Sequence, residues 1–182
     1  GNCINVDCAG VCGGSAVIDE CGVCNGDGST CDYDCDAPVC LSIENVDTDA
    51  GNLDIYMISQ PGCTYWEGSD EIFDAYMYES ICSAVGGSYF DGEVGGFQFE
   101  LTGINIAGAN SGISADQGFM VQTSPTLVLG FSLTGATIPA GNSILTQISF
   151  TGFVAGTEIC FGEDTGSAGS TAISDSYSDY IA

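Results

Sequence analysis

Residues 127–152 read LVLGFSLTGATIPAGNSILTQISFTG. Two runs within this stretch, LVLGFSL and SILTQISF, alternate apolar and polar residues, and IPAGN separates them. Alternation with a period of two sends successive side chains to opposite faces of an extended backbone, so each run predicts a half-buried strand. The Pro and Gly between them predict a short connection. The same texture recurs on either side. VCLSIENV (39–46), NLDIYMIS (52–59), VGGFQFELTGINI (94–106), GFMVQT (118–123) and TEICF (157–161) alternate in the same way, broken by AGANSG, TSP and similar turn clusters. About eight or nine strands are expected over residues 39–182. The fold class is therefore mainly β, a β-sandwich or jelly roll.

One segment departs from the pattern. Residues 63–90 read CTYWEGSDEIFDAYMYESICSAVGGSYF. Ser69 is placed to cap a helix whose first turn carries Asp70 and Glu71. Ile72, Phe73, Tyr76, Met77, Ser80 and Ile81 follow at helical spacing, and Gly86 and Gly87 stop it. A single helical insert is predicted here, clamped by Cys63 and Cys82 and packed over one end of the sandwich. A ligand-gripping role for Trp66, Tyr76 and Tyr78 is the less economical reading.

Residues 1–38 have another chemistry. They consist of small residues, acids and cysteines, with almost no large apolar side chain, so they cannot build a core of their own. DCAGVCGG (7–14) is echoed by ECGVCNGDG (20–28), a unit too short to be a domain. An arm stapled by disulfides, with little regular structure, is expected.

The charge balance excludes more than most motifs prove. The chain has 25 carboxylates and no Lys, Arg or His, for a formal net charge of −25 over 182 residues. No side-chain salt bridge can form, and nucleophile–His catalysis is excluded. Phosphoryl transfer lacks a cation to stabilise charge. Lys–Asn isopeptide cross-links are closed for want of Lys. Nucleic acid and anionic membrane surfaces are repelled. No run reaches the length of a membrane span, and the first residues have no basic or apolar leader pattern, so a secretory signal is expected to be absent or already removed. A glycosidase needs only two carboxylates, yet no local pattern marks a pair. An enzyme is not expected. None of the eight asparagines lies in an N-x-S/T sequon, which leaves O-linked glycans on Ser or Thr.

The chain has 11 cysteines. Cys3, Cys8, Cys12, Cys21, Cys24, Cys31, Cys35 and Cys40 lie in the first forty residues, and Cys63, Cys82 and Cys160 lie beyond them. Such density predicts an oxidising, extracellular setting and disulfides. The odd number requires at least one thiol that is free or paired outside the chain. Cys8, Cys12, Cys21 and Cys24 also have tolerable spacing for a four-thiolate zinc site, but disulfides fit the surrounding cysteines better. Calcium is the more attractive ion. Asn25, Asp27 and Ser29 alternate, as do Asp32, Asp34 and Asp36, and hard oxygen ligands at alternate positions suit Ca²⁺. Thr30 stands where an EF-hand needs Gly, so this is not an EF-hand. Asp47, Asp49 and Asp54 form a second candidate cluster, which turns alone would also explain.

LSIENVDTDAGNLDIYM (41–57), VGGFQFELTGINIAGA (94–109), residues 127–152 and TEICF (157–161) together resemble the cohesin-like β-sandwich of large secreted bacterial proteins. DCAGVCGGSAVIDECGVCNGDGSTC (7–31) resembles the DCxGxCGG…DECGVCxGDGSxC repeats of secreted marine and freshwater bacterial proteins. These resemblances imply an exported, surface-associated or fibre-forming protein. The expected function is a structural subunit of an extracellular filament, a homopolymer assembled head-to-tail, with the arm docking on a neighbour. The alternative is a cohesin-like adhesion module recognising a dockerin-type or glycan partner, with Tyr65, Trp66, Tyr76 and Tyr89 available to stack on sugars.

Overall fold

Strand β6, Val94–Thr102, organises one face of the molecule. Val94, Phe97, Phe99 and Leu101 point inward and are buried, while Gln98 and Glu100 alternate with them. A computed structural model describes residues 35–162, 171–177 and 179–181. The arm cysteines Cys3, Cys8, Cys12, Cys21, Cys24 and Cys31, and the candidate ligands Asn25, Asp27, Ser29, Asp32 and Asp34, lie outside the described residues.

The elements run β1 (Val39–Asp47), β2 (Asn52–Ser59), β3 (Gly62–Glu67), β4 (Asp70–Asp74), α1 (Glu79–Ala84), β5 (Ser88–Phe90) and β6 (Val94–Thr102). Then follow β7 (Asn105–Asn110), α2 (Gly112–Asp116), β8 (Met120–Thr123), β9 (Leu127–Phe131), β10 (Gly141–Thr151), β11 (Cys160–Phe161) and β12 (Ala172–Asp175). One sheet has the order β1-β2-β10-β7. The second has the order β11-β6-β9-β8, with β12 also pairing β6. A small third sheet has the order β4-β3-β5. All pairings are antiparallel.

The two larger sheets share one hydrophobic core. Leu53, Ile55, Met57, Leu145, Ile148 and Phe150 come from the first, and Phe97, Phe99, Leu101, Val128 and Ile173 from the second. Phe97 lies 6.1 Å from both Phe99 and Phe119, and Phe161 meets Phe99 edge-on at 5.8 Å. Gly130 on β9 stands opposite Phe97 in register, and a Cβ there would strike the Phe97 ring. Glycine inside a strand is explained here by the close approach of an aromatic ring.

The strand total exceeds the sequence expectation because β3 and β4 lie where a helical insert was expected, and because β5 and β12 are only three and four residues long. Periodicity needs a longer window to register. The helix expected from Ser69 onward is corrected. Asp70–Asp74 is a strand, and helix is confined to Glu79–Ala84, six residues. Gly68, at φ +70°, turns the chain so that Tyr65 pairs with Ile72 and Thr64 with Phe73. Those cross-strand pairs outweigh the nucleation of an isolated helix, which is unfavourable at this length. Ser69 Oγ donates to Asp70 Oδ1 at 3.3 Å rather than capping a helix. Gly86, at φ +75°, does end α1, and the Gly87 N–H donates to Cys82 O at 2.9 Å. A second short helix, α2, was not anticipated.

Cys63 on β3 and Cys82 on α1 are joined by a disulfide. A Cβ on Gly87 would lie 2.6 Å from Cys63 Sγ, so a side chain there would collide with the bridge. Cys35 and Cys40 are also disulfide-bonded. Cys160 is free and exposed. These bonds place the chain in an oxidising environment. Among the described residues, no helix is long and apolar enough to cross a membrane.

Candidate functional site

The C-terminal segment folds back on itself after β12. Asp175 Oδ1 accepts hydrogen bonds from the backbone N–H groups of Tyr177 at 2.8 Å and Asp179 at 2.9 Å. The Asp175 N–H donates to Asp179 O, and the Ile181 N–H donates to Ile173 O. This turn chemistry is characteristic of Asp. It holds Tyr177 and Tyr180 out in solvent, 83% and 67% exposed.

The turn forms one wall of a cleft of about 600 Å³. The opposite wall is built from the insert: Thr64 on β3, Glu71 on β4, Glu79 on α1, and Ser88, Tyr89 and Phe90 on β5. Asp91 and Pro38 complete it. Three tyrosines and five carboxylates therefore face one concavity. Asp175 is occupied by its turn, and Asp91 Oδ1 accepts the Glu93 N–H at 2.8 Å. The side chains of Glu71, Glu79 and Asp179 make no hydrogen bond to described residues. Carboxylates only accept, so a ligand here must bring its own donors.

The candidate calcium residues are engaged differently. Asp47 and Asp49 share a turn, in which Asp47 Oδ1 accepts the N–H groups of Asp49 at 3.0 Å and Ala50 at 2.8 Å. Asp54 is separate from that turn. It is 8% exposed on β2, and its two oxygens accept from Asn45 Nδ2 and Gln147 Nε2, both at 2.8 Å. Asp36 is exposed. Among the described residues, no group of three or more Cys, Asp or Glu is placed to hold a metal ion.

Trp66, Tyr65, Tyr76, Tyr78 and Tyr89 are the aromatic candidates of the sequence. Of these, only Tyr89 lines the cleft. Tyr177, Tyr180, Glu71, Glu79 and Asp179 were missed as a set, because the two walls are distant in sequence. The available signal was the alternation of acid and tyrosine in SDSYSDYI (174–181).

No family model, no curated protein and no solved structure matches this chain. The likeness to cohesin-like sandwiches rests on the sequence stretches quoted above.

Proposed function

We propose that this protein is a structural subunit of an extracellular filament, built head-to-tail from copies of itself. The observation that carries this reading is the surface of the insert. Trp66, Tyr76, Tyr78, Ile81 and Val85 are 50% to 92% exposed within twenty residues. A chain with 25 carboxylates and no basic side chain cannot join its own copy through side-chain ion pairs. Its contacts must be apolar, backbone-paired or disulfide-linked, and concentrated exposed apolar side chains meet that need. The Cys-rich arm, which has no core of its own, docks on a neighbouring subunit in this reading. Calcium between subunits supplies the missing positive charge, and O-linked glycans are compatible with the many Ser and Thr of the sequence. The protein is not an enzyme in this reading, and its place is outside the cell.

Negative-stain imaging of the full chain tests it. Filaments are expected for the native protein. They are expected to be lost in a Trp66→Ser/Ile81→Ser double variant whose far-UV circular dichroism is unchanged. Filaments that persist in that variant refute the apolar contact. Filaments formed after removal of residues 1–38, with Cys40→Ser, refute docking by the arm. A native chain that stays monomeric at every concentration, with salt and calcium present, refutes the filament itself.

A further inference from the structure

A second concavity adjoins the cleft. It holds about 440 Å³ on the outer side of β6, β9 and β12, and its lining includes Gly95, Gly96, Leu129 and Phe131. Tyr180 lines both concavities. Ser174 belongs to one and Asp175, the next residue, to the other. The two spaces therefore share Tyr180 as a boundary. We infer that they form one groove that binds a neutral, linear polysaccharide.

Three features select that ligand. First, Tyr89, Tyr177 and Tyr180 are 37%, 83% and 67% exposed, and their rings offer flat apolar faces with a polar tip. Such rings stack on the C–H face of a sugar while the phenol bonds a hydroxyl. Second, Glu71, Glu79 and Asp179 present acceptors without donors, and sugar hydroxyls supply donors. The formal charge of −25 repels uronic acids and sulfated sugars, so an acidic glycan is excluded. Third, a second concavity lies beyond Tyr180. Its lining includes Gly95 and Gly96, glycines that let β12 approach β6 closely, since a Cβ there would meet Asp175 O or Ser174 Oγ. An open groove with aromatic rings in its first half and Phe131 in its second suits a chain of sugars better than a single ring.

Native affinity electrophoresis of the full chain tests this, with gels containing hydroxyethylcellulose, galactomannan, xyloglucan or dextran. Alginate serves as the acidic control and polylysine as the cationic one. At least one neutral polysaccharide is expected to retard the protein, while alginate does not. Tyr177→Ala and Tyr180→Ala are each expected to weaken that binding about ten-fold. Both side chains are exposed, so folding is checked simply by far-UV circular dichroism. Phe131→Ala is expected to weaken binding to the polymer more than to its disaccharide. Absence of binding across the neutral panel overturns the inference. So does binding that the tyrosine variants leave unchanged, or retardation by polylysine alone, which would mean only an acidic surface. Light scattering on the same samples scores assembly separately, so the result is independent of the filament proposal.

Discussion

Asp54 shows how a carboxylate is buried in a chain without cations. It is 8% exposed, and two side-chain amides, from β1 and β10, satisfy its oxygens across the sheet. Asn45 reaches it from a backbone at φ +48°, a left-handed conformation that Asn tolerates better than most residues. Asp54→Asn removes one of 25 like charges but turns one acceptor into a donor facing a donor. The unsatisfied group costs about 1–3 kcal/mol, more than relief of surface repulsion returns. Urea unfolding is expected to show that loss for Asp54→Asn and almost none for the exposed Asp49→Asn. Equal midpoints for the two would mean that the amide bonds contribute nothing.

At the scale of elements, the insert is the part most dependent on a covalent bond. Its three short strands and six-residue helix have little core beyond Cys63, Cys82 and Phe90. The disulfide closes a loop with a sequence separation of 19, which stabilises by about 3 kcal/mol through loss of chain entropy in the unfolded state. A Cys63→Ser/Cys82→Ser variant is expected to lose hydrogen-exchange protection in β3, β4 and β5. Amides of β2 and β10 are expected to stay protected, because local opening is independent of the main core. Uniform loss across all strands would show that insert and sandwich unfold together. The longer strands β1, β2, β6 and β10 were legible in sequence, because one face of each meets the core and the alternation is clean. β4 was not: Ile72 and Phe73 sit at spacings that suit a helix face, and only pairing with Tyr65 and Thr64 decides the matter.

For the whole molecule, charge sets the conditions of stability. Twenty-five carboxylates on one chain repel over a screening length of about 10 Å at 0.1 M salt, and much farther in dilute buffer. The melting temperature is expected to rise steeply as NaCl is added from low ionic strength, as measured by differential scanning calorimetry. Calcium chloride at matched ionic strength is expected to raise it further if calcium bridges carboxylates. Identical curves for the two salts would reduce the role of calcium to screening.

Composition and period by themselves determined the class of the fold, the absence of side-chain ion pairs and the oxidising setting. These follow from local pattern and from counts, which need no knowledge of neighbours. The cleft was decided only by tertiary structure. Glu71, Glu79 and Tyr89 belong to the insert, and Tyr177, Asp179 and Tyr180 to the C-terminal turn. They share a concavity because β12 pairs with β6 and Asp175 folds the chain back beside it. Pairing between strands so far apart in sequence is fixed by packing of the shared core, and no local signal records it.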